Sequence, residues 1–164
     1  MPYPDKLMDV SDLNGGLARM VDRFKKEGTL TGERSSDAFL MENPNAVLLG
    51  MLFDQRVRAE YAFTGAERLQ ARLGHLDMKK IARMDLEKLQ ERFAEKPAVH
   101  RFVNVMAERT QGVAQVIVDE YDGDASNIWA DGVDFETIRK RLMKLPGFGK
   151  MKATKSRYAL HFFG

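Results

Sequence analysis

Apolar residues recur at three- and four-residue steps along most of the chain. Leu13, Leu17, Met20, Val21 and Phe24 share one stripe, which predicts an amphipathic helix over residues 11–26. Gly28 closes it. Residues 28–37 break the pattern with Thr29, Thr31, Gly32, Ser35 and Ser36, and read as a loop or a short flexible arm. Asn43-Pro44 predicts a helix start, with Asn43 as the cap and Pro44 at the first helical position, where a missing N–H does no harm. The helix that follows carries Val47, Leu48, Leu49, Met51, Leu52 and Phe53 and is apolar nearly all round, as a central buried helix must be. Its apolar character stops at Asp54-Gln55-Arg56, so this end must emerge at a surface or a cleft.

The rest of the chain is read in the same way. Residues 58–73 predict one helix closed by Gly74, and Asp77 and Asp85 each cap a short helix. Pro97 is expected to open a long helix reaching about Tyr121, with Phe102, Val103, Met106, Val113, Val116 and Ile117 on one side, ended by Asp122-Gly123-Asp124. Asn127 and Trp129 fall in a connector. A helix over residues 135–144 and a last helix to the C-terminus flank Leu145-Pro146-Gly147-Phe148-Gly149. No period-two alternation is long enough for a strand. The expected fold is therefore all-α. Residues 1–43 form an N-terminal helix and polar arm, and residues 44–164 a single helical domain. The ten Met residues are expected at core-facing positions as adaptable filling.

Composition narrows the chemistry. The 164 residues include no Cys, which excludes disulfides, thiolate zinc sites and cysteine-ligated iron–sulfur clusters. Three widely spaced His (His75, His100, His161) do not make a metal site, so no metal or cofactor is expected. No apolar run approaches the ~20 residues a spanning helix needs, and the N-terminal residues lack the apolar core of a signal peptide. A cytoplasmic protein is the expectation. The net charge of +2 conceals an asymmetry. Residues 137–164 hold eight basic side chains and no acidic one, whereas residues 1–136 hold eighteen basic and twenty-four acidic. Such a basic segment suits either a polyanionic partner or a solvated helix face.

The basic segment contains the hairpin. In Leu145-Pro146-Gly147-Phe148-Gly149, Pro146 stiffens the turn, and Gly147 and Gly149 permit positive φ and close backbone approach. Gly149 opens a helix whose first N–H groups have no internal partners and face the positive end of the helix dipole. That is an anion site made of backbone. Lys150 and Lys152 oppose the dipole locally, an arrangement that makes sense with a phosphate in front of it.

The run from Leu145 through Lys150-Met151-Lys152-Ala153 resembles the helix-hairpin-helix motif of the helix-hairpin-helix–GPD superfamily of base-excision DNA glycosylases, and the chain is most similar to its small bacterial branch. The likeness covers residues 44–164 and includes the apolar helix ending in Gln55, about ninety residues upstream of the hairpin. It implies a DNA-glycosylase-like but truncated fold, with double-stranded DNA gripped through its phosphate backbone. By that resemblance Gln55 enters the duplex where a nucleotide is extruded. Gln55, Arg56, Lys144, Gly147, Phe148, Gly149, Lys150, Met151, Lys152 and Lys155 are the expected DNA-binding residues.

Two departures from the pattern bear on the chemistry. Lyase-type members carry a nucleophilic Lys where this chain has Met151. Lys150 and Lys152 flank it, each ~100° away around the helix, and neither is expected to point where that nucleophile would. A bifunctional glycosylase/lyase is therefore not expected. Most active members also carry an Asp about eighteen residues beyond the Lys position, for sugar-cation stabilisation or water activation. Counted here, that position falls past Gly164, and the usual second lobe is expected to be missing with it. Asp54, beside Gln55, is the substitute carboxylate. Asp119, Glu120, Asp122 and Asp124 fit a turn rather than a calcium loop. Trp129, Tyr61 and Phe53 suit either base stacking or, more simply, the core. Three classes stay open: a single-function DNA N-glycosylase, a non-catalytic binder of damaged or distorted DNA, and a helical interaction module that keeps the hairpin for its fold.

Overall fold

The computed structural model describes Tyr3, Pro4 and residues 16–164. Among these residues the chain is all-helical, with no strand. The helices are α1 (Gly16–Glu27), α2 (Arg34–Glu42), α3 (Pro44–Phe53), α4 (Ala59–Phe63), α5 (Gly65–Leu73), α6 (Met78–Arg83), α7 (Leu86–Ala94), α8 (Val103–Tyr121), α9 (Phe135–Met143) and α10 (Lys150–Phe163), with a 3-10 turn at Ala125–Ile128. No helix among the described residues is long and apolar enough to cross a membrane.

The centre is α3. Every residue from Ala46 to Phe53 is buried, and α2, α4, α5, α8, α10 and the 3-10 turn all pack against it. Gly50 permits the close approach of α4, since a Cβ there would lie 2.5 Å from the Phe63 ring. A helix apolar on all sides is stable only inside a ring of partners. The other helices bury one stripe each, such as Leu89 and Phe93 of α7 or Ile138 and Leu142 of α9.

The caps read from local sequence are present: Asp77 accepts from the Lys79 and Lys80 amides and Asp85 from Glu87. Asp134, not expected as a cap, accepts from Thr137 in the same way. Gly74 ends α5 with φ 81°.

Other expectations need correction. The helix expected from residue 11 is seen from Gly16, and its earlier part lies outside the described residues. Asn43 holds the N-cap position of α3 with Pro44 first in the helix, as expected, but its side chain makes no cap bond: its amide donates to Phe39 O instead, closing α2. Residues 58–73 are two helices. The Thr64 hydroxyl donates to Glu60 O at 2.8 Å, a local bond that competes with helix continuation. Pro97 does not open α8, which starts at Val103, because the intervening backbone is held by other elements. There Arg68 donates to Val99 O, Tyr61 to Ala98 O and Arg72 to Pro97 O. The methionines are not all in the core: Met20, Met51, Met78 and Met106 are buried, but Met143 is exposed and Met151 is 74% exposed.

The expected flexible arm is the largest correction. Its first residues wrap around a carboxylate and its last ones form the start of α2. Asp37 is fully buried. It accepts from the backbone N–H groups of Leu30 (2.8 Å) and Thr31 (3.0 Å), from the hydroxyls of Thr29 (3.0 Å) and Thr31 (2.5 Å), and from Tyr3 (2.6 Å). Burial pushes its carboxyl up, but the bonds from Thr31, Tyr3 and the backbone outweigh it and hold the group below the usual carboxylate range. Replacing Asp37 by Ala strands these donors, and is expected to cost about 3–5 kcal/mol in urea unfolding. A loss below about 1 kcal/mol would contradict this. Because the folded value is depressed, the stabilisation is present above the unfolded value near 3.8 and lost as pH falls through the folded one.

Candidate nucleic-acid interface

The site is built where α3 ends. The helix stops in a tight turn: Asp54 has φ −73° and ψ 72°, and the Gln55 N–H donates to Phe53 O at 2.7 Å. Arg56 follows with φ 56°, a left-handed conformation that costs a non-glycine residue about 1 kcal/mol. The last carbonyls of α3 have no partners within the helix. Two distant side chains supply them. Lys152 Nζ donates to Leu52 O at 2.8 Å, and His100 Nε2 donates to Phe53 O at 2.9 Å. The other His100 ring nitrogen accepts from Phe102 N–H at 2.9 Å, which fixes the tautomer. Burial holds His100 below its ordinary value, so it is the neutral ring that is stable here.

Lys152 also reaches Gln55. Gln55 Oε1 accepts from Lys152 Nζ at 3.3 Å and from Arg109 Nη1 of α8 at 3.2 Å. The side chain of a residue in the first helical turn leans back toward the helix start, and a Lys is long enough to cross to the neighbouring helix. The expectation that Lys152 points away is thus corrected: its amine lines the cleft, whereas Met151 reaches the cleft edge with its side chain largely exposed. Lys150 is exposed.

The cleft encloses about 310 Å³ between α1, the end of α3 and the first turns of α10. Its walls include Leu17, Asp54, Arg56, Phe63, Lys152 and Lys155. Burial pushes the Asp54 carboxyl up, and the charges of Lys155, Lys152 and Arg19 pull it back. Burial lowers Lys152 to about 8, with Arg109 adding to the effect and Asp54 opposing it. Opposed shifts of an acid and an amine in one cavity mark a place suited to proton transfer or to an anionic ligand.

The hairpin lies against the same edge. Gly147 has φ 81°, and a Cβ there would fall 2.7 Å from Leu52 Cδ1 and 3.0 Å from Arg109 Cδ. Its glycine is therefore required by both conformation and contact. Gly149 is different from expectation: its φ is −89°, so it needs no left-handed freedom. A Cβ there meets nothing within 4 Å, which leaves its face open to an approaching ligand. Phe148 turns its ring into the core and its N–H into the hairpin, donating to Leu145 O at 3.2 Å. The intrahelical ladder of α10 begins with Ala153 N–H to Gly149 O, so the amides of Lys150, Met151 and Lys152 precede it and are left for a partner.

The structure thus brings Asp54, Gln55, Arg56, Met151, Lys152 and Lys155 to one cleft, with Gly149 and Lys150 beside it and Lys144 exposed at the end of α9. It does not bring the aromatic candidates there. Phe53 is buried, Tyr61 bonds Ala98 O with Arg68 stacked on its ring, and Trp129 packs against the core. No group of three or more metal-ligating side chains occurs among the described residues. Two basic side chains of the C-terminal segment are engaged elsewhere, Arg139 with Glu136 and Arg141 with Asp131. Sequence reading missed Arg109, Arg19 and His100. Arg109 carried a signal, as a cation between Met106, Thr110 and Val113 on the buried stripe of α8; the other two carried none.

No family model matches the chain, and no curated protein matches it. Solved structures do. A trapped endonuclease III–DNA covalent intermediate, in its estranged-adenine complex, aligns at 18% identity over 92% of this chain and 59% of the other, with a TM-score of 0.53. A non-covalent endonuclease III–DNA complex aligns at the same identity and coverage, with a TM-score of 0.54. The chain spans about three-fifths of the length of these structures. The likeness is one of fold, an all-helical architecture shared with these endonuclease III structures.

The two hairpin glycines should separate in a paired experiment. Gly147→Ala is expected to lower unfolding free energy by about 1–3 kcal/mol. Gly149→Ala should change it by less than about 0.5 kcal/mol while weakening DNA binding in a gel shift. Equal effects on stability would contradict the different roles assigned to the two glycines.

Proposed function

We propose that the chain is a DNA-binding protein of base-excision repair type, which holds duplex DNA across the hairpin and receives an extruded, damaged nucleotide in the cleft. The observation that carries this reading is a coincidence of place. The α10 turn whose amides are left unpaired also lines the cleft that holds Asp54 and abuts Gln55. Phosphates bound by the amides of residues 149–152, with Lys150 and Lys144 nearby, would set the register of the duplex. Gln55, at the end of a rigid buried helix, would occupy the space left by the extruded nucleotide. The two endonuclease III structures described above are DNA complexes, which supports DNA as the partner.

In the catalytic form of this reading the cleft hydrolyses an N-glycosidic bond. The bond from sugar to base breaks, the Asp54 carboxylate stabilises the positive charge that develops on the sugar, and water adds at the anomeric carbon. Its proton goes by way of Asp54 to solvent, and solvent returns one to the departing base, so the free base and the sugar hydroxyl are the products. The charges of Lys155, Lys152 and Arg19 favour the ionised form of Asp54, against a burial that on balance raises its carboxyl. A second reading, binding of damaged or distorted DNA without cleavage, is favoured by Met151. Its thioether is exposed at the cleft edge and has no proton or electron pair suited to acid–base work.

Base release from a panel of lesion-containing duplexes decides between the two, with a gel shift on a duplex carrying an abasic-site mimic as the binding control. The catalytic reading expects product, with Asp54→Asn slowing release at least about 100-fold at little cost in affinity. Binding with no product from any lesion supports the second reading. Absence of binding at low salt contradicts both. Lys150→Glu should lower the slope of log affinity against log salt by about 1; an unchanged slope would remove the hairpin from the phosphate contacts.

A further inference from the structure

The geometry around Gln55 says which chemical face this side chain can show to DNA. Its Oε1 lies between Arg109 Nη1 (3.2 Å) and Lys152 Nζ (3.3 Å). A guanidinium and an ammonium are donors only, so the amide atom between them must be the oxygen. The nitrogen end makes no hydrogen bond with any described residue and is not among the buried atoms left unpaired, so it is open to solvent. The backbone beneath it is equally fixed. Gln55 N–H is bonded to Phe53 O, His100 holds that same carbonyl, and Lys152 holds Leu52 O. Rotating the amide would set its N–H groups against two cations and forfeit a pair of charge-assisted bonds.

A free glutamine offers one donor and one acceptor, and pairs well with adenine, which needs both. Gln55 offers its two N–H donors alone. Among the four bases, cytosine is the one with two adjacent acceptors, O2 and N3, on its pairing edge. Adenine and guanine offer one acceptor beside donors that would be left unsatisfied, and thymine interposes an N–H between its two acceptors. Unsatisfied donors against a water-poor wedge are penalised more than missing contacts. We propose that Gln55, held amide-nitrogen outward by Arg109 and Lys152, selects cytosine as the base left behind in the duplex. The nucleotide that enters the cleft is then guanine-derived. This inference rests on the reading of the site as a DNA interface that accepts an extruded nucleotide, and it names the substrate class for that site.

The test measures affinity of the full chain for four duplexes that differ only in the base opposite an abasic-site mimic. Cytosine is expected to bind about fivefold to tenfold more tightly than adenine or guanine, a discrimination of the size hydrogen-bond readout gives. Gln55→Glu keeps one oxygen on Arg109 and Lys152 and turns the other outward as an acceptor, so the order should invert in favour of adenine or guanine. Gln55→Met, of similar length and without donors, should bind all four alike; thermal unfolding of both variants checks that they are folded. Equal affinity of the unsubstituted chain for the four duplexes would overturn the inference while leaving DNA binding intact. So would a preference for adenine, which would mean that Oε1 is available. Failure to bind any of the four would instead overturn the underlying reading of the site.

Discussion

The Lys152 ammonium joins the two halves of the site, with its shorter bond to Leu52 O, 2.8 Å away in space and a hundred residues away in sequence. Leu52 belongs to the last turn of the central helix, whose carbonyls would otherwise end unpaired beside a cavity. Lys152 belongs to the first turn of α10, where a cation gains nothing from the helix dipole. Each is poorly placed within its own helix, and each corrects the other. The ammonium sits at the negative end of α3 and leaves the positive end of α10 free for an anion. Gly147, pressed against Leu52, brings the hairpin close enough for the bond to form.

The arrangement has an electrostatic cost that is also its chemical content. Removing an ammonium from water lowers its affinity for a proton, and Lys152 falls to about 8. The same enclosure raises Asp54, while three cations restrain that rise. The cleft therefore holds a carboxylate and an amine brought toward each other in proton affinity, a condition seldom met on an ordinary surface. Arg109 completes it from α8, sharing the Gln55 oxygen with Lys152. Helices from the middle and the end of the chain thus meet at one tight turn, residues 54–56, in which Arg56 is left-handed and the Gln55 oxygen is bonded from both helices.

How legible this was depends on the range of the interactions concerned. The central helix was legible because Val47 to Phe53 offer no polar face, and the caps at Asp77 and Asp85 because a cap is a two- or three-residue event. The hairpin was legible as a motif of turn residues. By contrast, α2 was missed because its start depends on Asp37, whose partners come from Tyr3 and from the preceding loop; nothing within residues 34–42 announces that. The loop before α8 was missed for the same reason, since Arg68, Tyr61 and Arg72 hold its carbonyls from another part of the fold. Lys152 was misjudged by treating a residue's angle on the helix as the direction of its charge. A four-carbon stem is long enough to separate the two. The hairpin residues pointed to the edge of the candidate cleft, and the side-chain bonds that line it were visible only in three dimensions.

The proposed function requires the hairpin amides and the end of α3 to act as a single surface for one duplex. Amide chemical shifts of the isotope-labelled protein, followed while a duplex with an abasic-site mimic is added, test this most directly. Gly149, Lys150 and Met151 are expected to shift together with Asp54, Gln55 and Arg56, with one common midpoint. Shifts confined to the hairpin, or to a surface including neither segment, would contradict it.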